Sequence, residues 1–146
     1  MRVRPNETPR WTLTELANEV ESSTNSEGIV TGISLDSRHV VPGDLYAALP
    51  GASSHGAAFA GVAKARGAVG VLTDPEGAAI VTELPEIIVD DARAVIARLS
   101  SFIYGDPASA FKTIGVTGTQ GKTTTTYLAE AALGDHKSAV VGTIGT

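Results

Sequence analysis

The stretch Ile114-Gly115-Val116-Thr117-Gly118-Thr119-Gln120-Gly121-Lys122-Thr123-Thr124 constrains this chain more than any other. An apolar run enters a glycine turn, and a Lys-Thr pair opens a helical segment, which is the layout of a P-loop. Glycines let the backbone curl until successive N–H groups point at one anion. The following helix adds its own free N–H groups and the positive end of its dipole. In such a loop Lys122 reaches the β- and γ-phosphates of a nucleoside triphosphate, and the Thr123 hydroxyl binds Mg²⁺. The general pattern places a glycine five positions before Gly121, but residue 116 is Val, so this loop is a shortened form. A glycine-rich turn beside a solvated lysine carries the same glycines. The strand–loop–helix context favours the phosphate site over that plainer reading. So do the four threonines at 123–126, which are poor helix formers whose hydroxyls suit a metal and phosphates.

Upstream, short apolar runs alternate with helical segments. Thr12 and Glu15 make a capping box, and Leu13, Leu16, Ala17 and Val20 follow at i, i+3, i+4 and i+7. Strands are predicted at residues 29–35, 45–49, 68–72 and 87–89. A helix is predicted at 57–66, with Phe59, Val62 and Ala63 on one face and Gly67 as its stop. Asp74-Pro75-Glu76-Gly77 reads as a turn. Asp91 opens a further helix to about residue 104, with Val95, Leu99 and Phe102 inside and Gly105 closing it. After residues 105–109 come a strand at 111–117, the glycine turn, a helix at 123–133 ended by Gly134, and a strand at 138–144.

This alternation implies an α/β fold with a mainly parallel sheet. The reading is a small N-terminal α/β domain over residues 1–107, followed by the first βαβ of a P-loop ATPase-type central domain over 108–146. From Phe111 only 36 residues remain, too few for an independent core. The chain is therefore expected to be the N-terminal piece of a longer protein. Self-association through the incomplete central sheet is the other way to cover those strands.

Composition removes several classes. The absence of cysteine excludes disulfides, a thiolate nucleophile and Cys-based zinc. The apolar runs are too short to span a bilayer, and no apolar segment follows Arg2 and Arg4 as a secretory leader would require. A net charge of −5 argues against a broad grip on nucleic acid. A soluble, cytoplasmic protein is expected. His39 and His55 sit in polar loops and read as solvated, with no partner spacing for a metal. Trp11 reads as packing beside the first helix, and the carboxylates offer no acid–base pair.

Thr117-Gly118-Thr119-Gln120-Gly121-Lys122-Thr123-Thr124-Thr125 resembles the ATP loop of the Mur ligases and their folylpolyglutamate synthetase relatives. That family keeps the shortened Thr-Gly-Thr-x-Gly-Lys-Ser/Thr form; Gln120 departs from its usual Asn or Ser. A second match lies in Leu35-Asp36-Ser37-Arg38 and Val41-Pro42-Gly43-Asp44-Leu45-Tyr46-Ala47-Ala48-Leu49-Pro50-Gly51, continued by His55-Gly56 and Arg66-Gly67-Ala68. It resembles the first domain of the subgroup that adds the third residue of the peptidoglycan stem peptide.

The resemblance implies an ATP- and Mg²⁺-dependent amide ligase with UDP-N-acetylmuramoyl-L-alanyl-D-glutamate and a diamino acid, meso-diaminopimelate before L-lysine, as substrates. ATP would phosphorylate the D-glutamyl γ-carboxylate, and the amine would attack the acyl phosphate. Gly118, Thr119, Gln120, Gly121, Lys122, Thr123 and Thr124 would bind ATP. Lys122 and Thr123 would serve catalysis, and Thr123 would also hold the metal. Leu35 and Ser37 would contact the uridine, and Ala52, Ser53 and Ser54 would close over the uracil or diphosphate. Without the resemblance, Asp36-Ser37-Arg38 reads as a solvated turn with an Asx cap. Two other readings stand beside the first: the Mur ligase that adds D-Ala-D-Ala, and a stand-alone nucleotide-binding module.

Overall fold

The computed structural model describes residue 5 and residues 7–24, 26–81 and 83–142. The chain forms two compact units, Met1–Ala110 and Phe111–Thr146.

In the first unit, β1 (Trp11–Thr12) pairs antiparallel with β2 (Ile29–Val30). Between them lies α1 (Leu13–Glu19), started by the expected capping box. The Thr12 hydroxyl accepts from the Glu15 amide, and the Glu15 carboxylate accepts from the Thr12 amide at 2.7 Å. The first predicted strand is in fact two. At Thr31, whose amide donates to the Gly43 carbonyl, the chain passes from the small sheet to a four-stranded one, where β3 (Gly32–Ser34) begins. Leu35 lies beyond the strand.

β3, β4 (Asp44–Ala47), β5 (Gly70–Thr73) and β6 (Glu86–Ile88) lie side by side in chain order, all parallel. Their side chains alternate between two cores, as the pleat requires. Leu45, Ala47, Leu72 and Ile87 face α1 and α4 (Ala92–Ile103), burying Leu13, Leu16, Leu99 and Ile103. Tyr46, Ala48 and Val71 face the other side, against Ala57, Ala60 and Ala63. Both faces of the sheet are therefore covered, as parallel sheets demand.

Three expectations change here. The helix predicted at 57–66 begins as a 3₁₀ turn, Gly56–Phe59, and continues as α2 (Ala60–Ala65). Its inward stripe is alanine at every third residue, because Tyr46 and Val71 fill the space beneath. Phe59 and Val62 point outward, each 46% exposed. Gly67 ends the element as expected, at φ +97°. Residues 74–77 are more than a turn: Asp74 caps a short helix, α3 (Pro75–Ala78), by accepting from the Gly77 amide. Trp11 lies on Phe102 of α4, centroids 4.3 Å apart, and donates its indole N–H to the Ile103 carbonyl.

In the second unit, α5 (Lys122–Ala132) forms close to its predicted position. Among the described residues, 111–117 carry no ladder, and of 138–142 only Gly142 takes a single bridge position; residues 143–146, and with them the end of the strand predicted at 138–144, lie outside the described residues. A strand persists through paired neighbours and covered faces, whereas Ile114 is 75% and Val141 83% exposed. No described helix is long and apolar enough to cross a membrane.

Candidate functional site

The C-terminal ends of parallel strands are where open α/β sheets present loops to ligands. In the first unit that edge carries Leu35 after β3 and residues 48–56 after β4. Leu35 is 58% exposed. Asp36 starts a 3₁₀ turn, Ser37–His39, by accepting from the Arg38 amide. Its carboxylate also takes two bonds from the Arg38 guanidinium, at 3.0 and 2.9 Å, and lies 3.1 Å from His39 Nδ1. The Arg38 bonds hold the Asp36 carboxyl well below the usual carboxylate range. Asp36 and Arg38 thus satisfy each other.

Ser37 is buried, and its side chain lies close enough to the Tyr46 phenol to act on it electrostatically. The phenol in turn donates to the Gly56 carbonyl at 2.9 Å. Burial pushes the Tyr46 hydroxyl pKa up, the Asp36 charge adds to that, and Ser37 opposes it. One buried tyrosine therefore ties β4 to the turn at 56–59, beside the turn at 37–39. Sequence reasoning missed Tyr46; its place on an inward-facing register of a predicted strand was the available signal.

Ala52, Ser53 and Ser54 are exposed, as a loop open to a ligand would be. The loop's ends are fixed. Pro50 bridges His55, and the Arg93 guanidinium donates to the Pro50 carbonyl at 2.8 Å. At Gly56 a Cβ would meet the backbone of Ala48 and Leu49 at 2.9–3.0 Å, so only glycine allows this approach. His55 is not solvated as expected. Its side chain is 7% exposed, with Nε2 at 3.1 Å from Asp74 Oδ1 and Nδ1 accepting from the Ala57 amide at 3.0 Å.

In the second unit, Gly121 takes the left-handed conformation, φ +75°, and serves as the residue before α5. Glycine reaches that conformation at no steric cost. The Lys122 ammonium donates to the Gly118 carbonyl, curling the loop around its own lysine. Thr125 donates its hydroxyl to the Gly121 carbonyl and Thr126 to the Thr123 carbonyl, at 2.9 and 2.8 Å. These two hydroxyls are thus absorbed by the helix's own first turns. Lys122 and Thr123 line one hollow of about 140 Å³ with Val116, Thr126, Tyr127 and Val141. An ammonium and a hydroxyl at the start of a helix are the donor types that a Mg²⁺-bound triphosphate takes. Gly118, Thr119, Gln120 and Thr124 complete the same segment; among the described residues no carboxylate or histidine cluster could hold a metal.

A parallel sheet covered on both faces, with loops along one open edge, and a glycine loop that opens a helix mark an α/β protein. Residues 29–104 match the family described as Mur ligase family, catalytic domain, and this chain belongs to that family. The matched segment lies within the first unit and ends before the glycine loop. The chain is 50% identical, over 98% of its length, to a UDP-N-acetylmuramoyl-L-alanyl-D-glutamate–2,6-diaminopimelate ligase of Streptomyces avermitilis. It is 46% identical over 89% of its length to the protein so named from Corynebacterium glutamicum. It spans 28% and 26% of those proteins. Among solved structures, it resembles the UDP-N-acetylmuramoylalanyl-D-glutamyl-2,6-diaminopimelate–D-alanyl-D-alanyl ligase of Acinetobacter baumannii. That match has a TM-score of 0.67 at 26% identity, covering 86% of this chain and 28% of the other.

Proposed function

We propose that this chain is part of a cytoplasmic, ATP-dependent ligase of peptidoglycan precursor synthesis that joins 2,6-diaminopimelate to UDP-N-acetylmuramoyl-L-alanyl-D-glutamate. The observation that carries this reading is 50% identity, over nearly the whole chain, to a ligase of that name. In this reading residues 1–107 receive the UDP end of the substrate, and residues 108–146 open the ATP-binding domain.

Leu35 offers an apolar surface to the uracil ring, and Ser37, with Tyr46 behind it, sets the turn beside it. The 52–54 loop closes over the uracil or diphosphate. In the second unit the amides of Gly118, Thr119, Gln120 and Gly121 and the side chains of Lys122, Thr123 and Thr124 hold the triphosphate, with Thr123 toward Mg²⁺. ATP supplies the phosphoryl group that activates the substrate carboxyl. The chain's own task is positioning and charge neutralisation, which is most of what phosphoryl transfer asks of a protein.

A chimaera tests the reading: this chain replaces the segment it matches in the Streptomyces avermitilis ligase, and UDP-tripeptide formation is measured. Ligation of diaminopimelate is expected. A folded, soluble chimaera that binds ATP but forms no product would sink the reading. The structural likeness to a D-alanyl-D-alanyl ligase favours a second reading, which product formed by this chimaera would exclude.

A further inference from the structure

We propose that His55, held between the Ala57 amide and the Asp74 carboxylate, is a positioning residue that fixes the 51–54 loop against the uridine diphosphate end of the substrate. This rests on the reading of that loop given above.

The loop cannot hold itself in place. Residues 51–54 are all exposed, and the bonds that locate them lie at their two ends. At the first end Arg93, on the first turn of α4, grips the Pro50 carbonyl. At the second end stands His55. An amide can only donate, so the 3.0 Å contact from the Ala57 N–H makes His55 Nδ1 an acceptor. The ring proton then sits on Nε2 and points at Asp74, 3.1 Å from Oδ1 and 3.3 Å from Oδ2. Both ring nitrogens are satisfied by one tautomer, and that tautomer admits one ring orientation.

Asp74 is itself immobilised. It follows β5 directly and caps α3 through the Gly77 amide at 2.8 Å. The ring also lies on Gly77: a Cβ there would stand 2.4 Å from His55 Cε1 and 2.0 Å from Thr73 Oγ1. The loop after β4 is thus pegged to the end of β5 through a side chain seated in a fitted slot. A helix cap would need the Ala57 bond alone. The Asp74 bond and the Gly77 slot are additional, and what they specify is where the loop's second end lies over the sheet edge.

The experiment measures the affinity of the chain for UDP-N-acetylmuramoyl-L-alanyl-D-glutamate by calorimetry, in wild type, His55→Ala, His55→Asn and Ser37→Ala. Urea unfolding of each variant reports the fold, and ¹⁵N shifts of the wild-type imidazole report the tautomer. Asparagine keeps a good acceptor for the Ala57 amide but is too short to reach Asp74. The expected result is a protonated Nε2 and at least about tenfold weaker binding in both His55 variants. His55→Asn should keep near-native stability, so it decides the matter should His55→Ala fail to fold. Wild-type affinity in His55→Asn would reduce His55 to a helix cap and overturn the proposal. Failure of the wild-type chain to bind, or full affinity in Ser37→Ala, would instead remove the uridine reading of this edge, and the proposal with it.

Discussion

The Tyr46 hydroxyl donates to the Gly56 carbonyl across 2.9 Å, joining the middle of β4 to the turn that closes the candidate uridine loop. Phenylalanine in its place fills the same volume but leaves the Gly56 carbonyl without that partner. Tyr46→Phe should destabilise the first unit by about 1–3 kcal/mol, the cost of leaving a partly buried polar group unpaired. Urea unfolding monitored by circular dichroism measures it; an unchanged midpoint would show that the bond contributes nothing.

The same tyrosine predicts an alkaline limb. Burial raises its pKa above the ordinary 10.0. A raised pKa in the folded state means that its contribution is complete below about pH 10 and is lost as pH climbs through the folded value. Wild-type stability should fall more steeply above pH 10 than that of Tyr46→Phe, and parallel curves would contradict the assignment.

On the acid side Asp74 carries the opposite sign. Burial pushes its carboxyl up, but the Gly77 amide, the His55 ring and the Glu76 amide together hold it below the ordinary 3.8. Its contribution is therefore full above about pH 4 and is lost as pH falls through the lower folded value. Asp74→Asn keeps a capping oxygen for Gly77 but not the charge. Its stability should be flatter than wild type between about pH 4 and pH 2. An unaltered acid limb would mean that other carboxylates carry it.

Legibility followed sequence distance. The Thr12–Glu15 capping box, the Asp91 start of α4 and the Gly67 stop are signals within a few residues, and all three formed as read. Short apolar runs between turn signals located the parallel strands of the first unit. His55–Asp74 spans 19 residues, and its burial depends on a glycine at 77 leaving room for a ring. No local pattern encodes that, so a polar-loop histidine read as solvated. Residues 111–117 failed for the converse reason: the local pattern is a strand's, but pairing is supplied by other chain segments, not by propensity.

Leu35 and Leu72 separate binding from folding. Leu72 is fully buried between β4 and β6, so Leu72→Ala should cost about 2–5 kcal/mol of stability. Leu35 is mostly exposed, so Leu35→Ala should leave the unfolding midpoint almost unmoved. Its effect should fall on UDP-substrate affinity, weakened roughly fivefold for about 1 kcal/mol of lost apolar contact. Calorimetry and urea unfolding on the same samples check both; a Leu35→Ala chain that binds fully would detach that side chain from the uracil.

Lys122 is the residue on which the triphosphate reading turns. Its ammonium rests on the Gly118 carbonyl, and its side chain lines the hollow between Val116, α5 and residues 140–142. A triphosphate entering there would exchange a neutral carbonyl partner for phosphate oxygens, a stronger charge-assisted contact. Lys122→Ala removes the cation but not the loop amides, and the first unit's core does not involve it. In the chimaeric ligase this substitution should lower the rate of UDP-tripeptide formation by at least about 100-fold, the scale of losing one preorganised electrostatic contact. Affinity for the UDP substrate should stay within about twofold, well under the 1.4 kcal/mol that a tenfold change represents. Ligation at the parent rate would return residues 117–124 to a solvated glycine turn, whereas loss of UDP-substrate binding alongside would mean that the two units act as one site.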